Sequence, residues 1–220
     1  MVIEFWINKI IYLGKQYKVL IPTIQNKNTY IVESDSKAYM LYANKNDLIK
    51  LAGLFVFANQ NKDTIIYLPT KQNHFTDYLK SIFKINNGLD LVIIQHSIQF
   101  KHKFWKEIRK RINYKTKESY RVNKLEFKDL DWEEQRVFYY KENKDFLDVK
   151  EQFDTVLMVG SSKVFSSISS YCLSVAENGE DLYKFTNGFH EHEHLDIFTR
   201  HKGNYEDMTI DFYDEEIWGE

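Results

Sequence analysis

Alternating apolar and polar positions predict β-strands at the start of the chain. The segments IEFWIN and IIYL, then Gly14-Lys15 and QYKVLI, have the pattern of a hairpin. Gly14 suits the turn because glycine accepts the positive φ that two-residue turns require. Two further strands are expected from their composition, at TYIVES and AYMLYA.

The apolar positions that follow predict a helix and a second hairpin. NDLIKLAG is expected to form a short helix, capped by Asn44 or Asn46 and closed by Gly53. The hairpin would pair LFVFA with TIIYLP across the polar segment NQNKD. These patterns make the first 70 residues mainly β.

The middle of the chain changes to a mixture of helix and strand. Apolar residues between Phe75 and Phe83 recur at helical steps before Asn86-Asn87-Gly88. LDLVIIQ is apolar throughout, which is typical of a strand buried on both faces. KHKFWKEIRKRI predicts a helix with Phe104, Trp105, Ile108 and Ile112 on its apolar face. Later strands are expected at YRVNKLEF and RVFYY.

The last third predicts a β-α-β-β unit. TVLMVG is a strand-length apolar run, and Ser161 or Ser162 would cap the helix that follows. Apolar residues from Val164 to Ala176 recur at three- and four-residue steps, and Asn178-Gly179 is expected to end this helix. FHEHEHLDIF then alternates as a strand, with His190, His192 and His194 on one face and the glutamates on the other. DMTIDFY predicts the last strand.

These elements indicate an α+β fold, with a mixed, largely antiparallel sheet and a few packed helices. The size of 220 residues allows one large domain or two small ones. The expected division is an α+β domain over 1–150 and the β-α-β-β unit over 151–220, either separate or packed into one continuous fold.

Charge is distributed unevenly along the chain. Residues 101–124 contain ten basic residues against Glu107 and Glu118, whereas residues 177–220 contain thirteen acidic residues against three basic ones. One interpretation of the basic stretch is a surface that contacts phosphates. The preferred interpretation is a solvated helix face that pairs with the acidic tail. The acidic tail is either a solvated sheet edge or a surface for a basic partner. Binding to nucleic acid is therefore not the favoured function.

The remaining composition argues for a soluble cytoplasmic protein. Cys172 is the single cysteine and lies on the apolar face of the predicted helix, where a buried structural thiol is expected. The chain opens without the pattern of a signal peptide, and no apolar run has the length of a membrane span.

The histidine cluster raises the question of a metal. His190, Glu191 and His194 fit the letters of an H-E-x-x-H zinc motif, but that motif requires a helix, and this segment alternates as a strand. On a strand, His190, His192 and His194 could still bind zinc or another divalent metal, with His201 or Asp211 as a further ligand. The alternative is polar histidines on a half-exposed face or at an interface.

One resemblance concerns about the last 65 residues. The order GSS, an amphipathic helix, HEHLDIF, a polar loop and MTIDFYDEE resembles a small bacterial family of polymorphic-toxin immunity proteins. His192, His194, Leu195 and Asp196 match that pattern best. The resemblance implies a protein without catalytic residues that binds a cognate toxin and occludes its active site or substrate groove.

This immunity hypothesis assigns partner binding to the acidic and aromatic residues of the last third. They are Glu191, Glu193, Asp196, Asp211, Asp214, Glu215, Glu216 and Trp218. The competing hypothesis is a metal-dependent hydrolase or nuclease that uses His190, His192 and His194, with residues 101–124 holding a phosphate-bearing substrate. No cofactor is expected under the first hypothesis.

Overall fold

The strands and helices follow one another in mixed order along the chain. The computed structural model describes residues 2–34, 38–83, 88–122, 131–140, 142–185, 191–199 and 208–218. The strands are β1 (Val2–Tyr12), β2 (Lys15–Pro22), β3 (Thr29–Glu33), β4 (Tyr39–Ala43), β5 (Thr64–Leu68), β6 (Asp90–Gln95), β7 (Lys117–Arg121), β8 (Leu147–Glu151), β9 (Thr155–Gly160), β10 (His192–His194) and β11 (Met208–Phe212). The helices are α1 (Lys45–Gln60), α2 (Asp77–Phe83), α3 (Trp105–Arg109), α4 (Trp132–Gln135), α5 (Ser162–Phe185) and α6 (Glu215–Trp218).

The described strands form two sheets. The large sheet has seven strands in the order β7-β1-β2-β5-β6-β9-β8, and the small sheet has four in the order β10-β11-β4-β3. Six of the strand pairings are antiparallel, and the pairings β2–β5, β6–β9 and β4–β11 are parallel. The predicted α+β class with mixed, largely antiparallel strands is confirmed.

Helices α1 and α5 lie between the two sheets. A single cluster of buried side chains joins one face of the large sheet, both helices and the inner face of the small sheet. Phe55 of α1 and Phe165 of α5 contact each other in this layer, with ring centroids 5.7 Å apart. The result is a three-layer arrangement of sheet, helices and sheet.

The outer faces of both sheets are also covered by short segments. Trp105 and Ile108 of α3 pack against Val19, Val92 and other residues on the face of the large sheet that points away from α1. Phe75, just before α2, and Leu79, within α2, pack with Tyr30 on the outer face of the small sheet. The segment that carries α3 is therefore on the opposite side of the molecule from the small sheet.

The first hairpin is confirmed at β1 and β2. Tyr12 pairs with Lys15, so Leu13 and Gly14 form a two-residue turn, with φ values of 48° and 76°. A positive φ at both central positions is typical of the hairpin turn whose twist matches that of the strands. Strands β3 to β6 and β9 also form where the sequence predicts them.

The second predicted hairpin is wrong because α1 does not end at Gly53. Asn44 caps α1 as expected, since its side chain accepts a hydrogen bond from the Asp47 N–H at 3.0 Å. The helix then continues through LFVFA to Gln60, with every residue from Leu51 to Ala58 buried. A helix enclosed by two sheets is apolar on all sides, so its sequence does not show the one-sided pattern of a surface helix.

Helix α5 also extends beyond its predicted end at Asn178-Gly179. It reaches Phe185, and the Ser161 hydroxyl accepts a hydrogen bond from the Val164 N–H at 3.3 Å at its start. The segment RVFYY is likewise not a strand, because residues 136–139 form a 3₁₀ turn after α4. Most of YRVNKLEF lies outside the described residues, and its first two residues end β7.

The last third has the predicted β-α-β-β order, but its strands belong to different sheets. Strand β9 lies inside the large sheet, between β6 and β8, whereas β10 and β11 lie in the small sheet. Strand β11 pairs with β4 from the first third of the chain. In the described ranges, no helix is long and apolar enough to cross a bilayer.

Candidate functional site

Strand β10 forms one edge of the small sheet and separates two kinds of side chain. His192 and His194 are exposed, with ring centroids 5.0 Å apart, whereas Glu191 and Glu193 are half-buried and Leu195 is buried. This alternation confirms the prediction that histidines and glutamates of this segment lie on opposite faces. The strand is shorter than expected, because residues 196–198 turn into a 3₁₀ helix whose Phe198 ring packs 4.7 Å from that of Phe138.

Six carboxylates lie along β10 and the chain that follows β11. We call them the acidic edge: Glu191, Glu193, Asp196, Asp214, Glu215 and Glu216. Asp196, Glu215 and Glu216 are exposed and the other three are half-buried. The Phe212 N–H donates to the Glu191 carbonyl at 2.9 Å, which brings Glu191 beside the end of β11, from which Asp214 and α6 continue.

Glu193 is the most perturbed carboxyl group of the acidic edge. Burial and, to a smaller extent, the neighbouring charge of Glu191 raise its pKa to about 7, against a smaller opposing effect of His194. Burial also raises the pKa of Glu191. A half-buried carboxylate without a cation is destabilised relative to its protonated form, so a cation brought to this position would favour ionisation.

Two tyrosines that the sequence interpretation missed lie next to this edge. Burial raises the pKa of Tyr171 on α5, and Glu193, Tyr139 and Asp196 raise it further, which places these groups within electrostatic range of one another. The side chains of Tyr139 and Tyr140 are 60% and 63% exposed. Tyrosine is enriched at protein interfaces, and the only sequence signal was the RVFYY segment that we assigned to a strand.

The structure does not place two residues of the predicted partner-binding set on this surface. Asp211 points into the structure and is 0% exposed, and burial raises its pKa to about 7. Its prediction as an exposed acidic contact is therefore wrong. Trp218 ends α6, and the position of its side chain lies outside the described structure.

The histidines do not come together with other metal ligands in the described structure. His190 and His201 lie outside the described residues, and Asp211 is the cross-strand neighbour of His192. Among the residues that the structure describes, no group of three His, Cys, Asp or Glu side chains is arranged to hold a metal ion. Cys172 is fully buried, and burial raises the pKa of its thiol.

In its described residues, 101–122, the basic stretch does not pair with the acidic edge, contrary to the preferred interpretation of the sequence. Its ion pairs with carboxylates run to Asp90, Glu107 and Glu4, from Arg109, Lys110 and Lys117 respectively. The layer order explains this result, because α3 covers the outer face of the large sheet. Within the described parts of the chain, none of the six carboxylates of the acidic edge forms an ion pair with a lysine or arginine.

The guanidinium of Arg109 bonds to groups within the protein and is not simply solvated. Its guanidinium donates to Thr155 Oγ1 at 3.0 Å and lies 3.5 Å from the Asp90 carboxylate. Asp90 also accepts from the Tyr67 hydroxyl at 2.8 Å and from the Lys71 N–H at 2.9 Å. This buried network joins the starts of β6 and β9 to the end of β5.

The acidic edge and its two tyrosines are thus the described surface that best fits a binding role. Its residues come from segments far apart in sequence, around residues 139, 193 and 215. Comparison of the chain with protein-family models, curated proteins and solved structures gives no match.

Proposed function

We propose that this chain is an immunity protein that binds a cognate bacterial toxin and neutralises it by occluding its active site or substrate groove. The acidic edge is the binding surface in this proposal, and no catalysis by the chain is required. The observation that carries the proposal is that none of the six carboxylates of the acidic edge has a lysine or arginine partner in the described structure, and that Glu193 and Asp196 lie near the exposed Tyr139.

The charge of the edge specifies the chemistry of the partner. Acidic groups elsewhere, such as Asp47, Glu107 and Glu180, have lysine partners within the chain. The three exposed carboxylates of the acidic edge instead present negative charge to the outside, which favours a basic partner. A toxin that acts on nucleic acid has such a basic groove, where carboxylates would replace phosphates and accelerate association by long-range attraction.

The tyrosines would increase the affinity for the toxin, whereas the charges would increase the association rate and the specificity. Interface energy is concentrated in a few residues, with Tyr, Trp and Arg over-represented among them. Tyr139 and Tyr140 lie on the turn that packs, through Phe138, against the segment of Asp196. An arginine or lysine of the toxin could contact a ring and a carboxylate together.

The first test is co-expression of this chain with the product of the adjacent toxin gene. We expect the chain to restore growth and to co-purify with the toxin as a stable complex. Replacement of the three exposed carboxylates, Asp196→Asn with Glu215→Gln and Glu216→Gln, should weaken the complex and reduce its dependence on salt.

A matched control removes three exposed charges from other surfaces. Asp63→Asn, Glu118→Gln and Asp154→Asn change the net charge equally and are also exposed, but they lie away from β10, α6 and the two tyrosines in sequence. The proposal fails if toxicity persists and no complex forms, or if the control weakens binding as much as the test variant does.

A further inference from the structure

A pocket of about 290 Å³ opens at the ends of β2 and β5, outside the acidic edge. The two strands are parallel neighbours, so their carboxyl ends meet at the same edge of the large sheet. Ligands of open sheets with parallel strands bind at such ends, between the loops that leave the strands. The volume suits a small molecule of one or two rings, because larger ligands occupy pockets of several hundred cubic ångströms.

One wall of the pocket is aromatic. Trp6 and Tyr114 meet edge to face, with ring centroids 5.9 Å apart and planes at 87°. Lys117 is the cross-strand neighbour of Trp6 on β7, and its Nζ lies 4.3 Å from the centroid of the Trp6 ring. Strand β7 lies on the side of β1 opposite to β2. The pocket side of this wall is continued by Pro22 and Pro69 at the ends of the two strands.

Carboxamides form the rest of the polar lining. Gln25 and Gln72 are exposed side chains on the two loops of the pocket. Asn73 Nδ2 donates to the carbonyls of Asn26 and Thr29 at 2.6 and 2.7 Å, which fixes the loop that leaves β2. None of the described residues that line the pocket carries a charge.

Asn26 forms a buried part of the pocket wall. Its side chain is only 6% exposed and contributes to the pocket wall, yet its Nδ2 has no hydrogen-bond acceptor in the structure. Buried amide groups almost always have a partner, because the loss of water is otherwise uncompensated. This Nδ2 is shielded from solvent, including solvent in the pocket, so Asn26 shapes the wall rather than donating to a bound molecule.

We infer that this pocket binds the base of a nucleoside. The ligand must be neutral, because the lining is uncharged, and flat, because the wall is aromatic. It must also carry donors and acceptors at its edge that can hydrogen-bond to the exposed carboxamides of Gln25 and Gln72. A nucleobase has this combination, since its face stacks on aromatic rings and its edge presents donors and acceptors to carboxamides.

The experiment titrates the full chain with adenosine, guanosine, cytidine and uridine, using calorimetry and saturation-transfer NMR. We expect at least one nucleoside to bind with a Kd on the order of 0.1–1 mM, as is usual for a small neutral ligand. Tyr114→Ala should weaken this binding by about tenfold and Gln72→Ala by several-fold. Both side chains are exposed, so these variants test the pocket without the risk of unfolding that Asn26→Ala carries.

Two controls decide between this site and unspecific binding. Tyr140→Ala removes an equally exposed tyrosine away from the pocket and should leave the Kd unchanged. Glucose and N-acetylglucosamine test whether the aromatic wall accepts sugars instead. The inference is overturned if no nucleoside binds up to about 10 mM, if Tyr114→Ala and Gln72→Ala leave the Kd unchanged, or if a sugar binds more tightly than every nucleoside.

Discussion

Gly179 lies against the ring of Phe212, so closely that a Cβ on Gly179 would come within 2.3 Å of Phe212 Cγ. This contact joins α5 to β11, and it explains why a glycine stands inside a long helix. We predict that Gly179→Ala destabilises the fold by about 1–3 kcal/mol, because overpacking outweighs the helix propensity gained. The measurement is urea unfolding.

The neighbouring position supplies the control for this prediction. Asn178 is exposed on the same turn of α5, so Asn178→Ala should be neutral or slightly stabilising. Equal stability of Gly179→Ala and Asn178→Ala would show that the close packing does not constrain the helix.

The second prediction concerns the pH dependence that buried Asp211 gives to folding. Its pKa rises to about 7 in the folded protein, from an ordinary value of 3.8. The folded state therefore favours the protonated carboxyl, and the stability that this group contributes is full below about pH 4 and lost as the pH rises through about 7. Asp211→Asn removes this loss and should stabilise the protein by roughly 2–3 kcal/mol more at about pH 8 than at about pH 5.

Unfolding of both proteins at the two pH values measures this difference. A carboxyl-carbon NMR titration of Asp211 gives an independent readout, with a midpoint near 7 expected. The same free-energy difference at both pH values would contradict the prediction.

Glu193 should give toxin binding its own pH dependence. Because its pKa in the free chain is about 7, the fraction of charged Glu193 increases between about pH 6 and about pH 8. A basic partner should therefore bind more tightly at the higher pH, and Glu193→Gln should reduce this difference.

The affinity is best measured by calorimetry in a background that carries His192→Asn and His194→Asn, which removes the imidazoles of the same strand. Asp196→Asn is the matched variant, because it removes a charge but leaves Glu193 in place to titrate. An undiminished pH dependence in Glu193→Gln would exclude this residue as its source.

If the proposed function is correct, Tyr139 is an anchor of the complex with the toxin. We predict that Tyr139→Ala weakens binding by about tenfold or more, mainly through faster dissociation, as is typical of aromatic interface residues. Surface plasmon resonance separates the two rates. Leu13→Ala, at an exposed apolar side chain on the first hairpin, serves as the control and should change neither rate.

The fifth prediction concerns Trp105, which joins the α3 segment to the large sheet. Its ring is fully buried, and its indole N–H donates to Thr155 Oγ1 at 3.0 Å. Trp105→Phe should destabilise the fold by about 1–3 kcal/mol, through a lost hydrogen bond and a partly filled space.

A double-mutant cycle with Thr155→Val separates these contributions. Because the two side chains share one hydrogen bond, the double variant should lose less stability than the two single variants together. Strict additivity would show that the hydrogen bond contributes nothing measurable.

Local patterns predicted those elements whose environment is simple. The β1–β2 hairpin and the strands β3 to β6 alternate or are apolar throughout, and their strand composition was sufficient. Helix α1 was predicted only up to Gly53, because a segment buried on all sides has no periodicity that distinguishes helix from strand. Gly179 misled the prediction of the end of α5, since its role is to accommodate Phe212 rather than to stop the helix.

Only those features of the candidate site that depend on a local pattern were predicted from the sequence. Alternation in HEHEH placed His192, Glu193 and His194 on the correct faces, because that pattern is local. The burial of Asp211 and the proximity of Tyr139 to Asp196 depend on contacts between distant segments, which no local pattern contains. The pairing of basic and acidic stretches failed similarly, since charge along the chain does not reveal which layer a segment occupies.

The parallel pairing of β4 with β11 has a consequence for how the protein is made in the cell. Strand β4 leaves the ribosome long before residues 208–212 are synthesised, so the nascent chain must wait for its partner strand. During that interval the small sheet has only β3 and β4, so part of the apolar surface beneath it stays uncovered, and contacts so distant in sequence form slowly. Chaperones that shield exposed apolar segments should therefore engage the polypeptide until translation reaches β11.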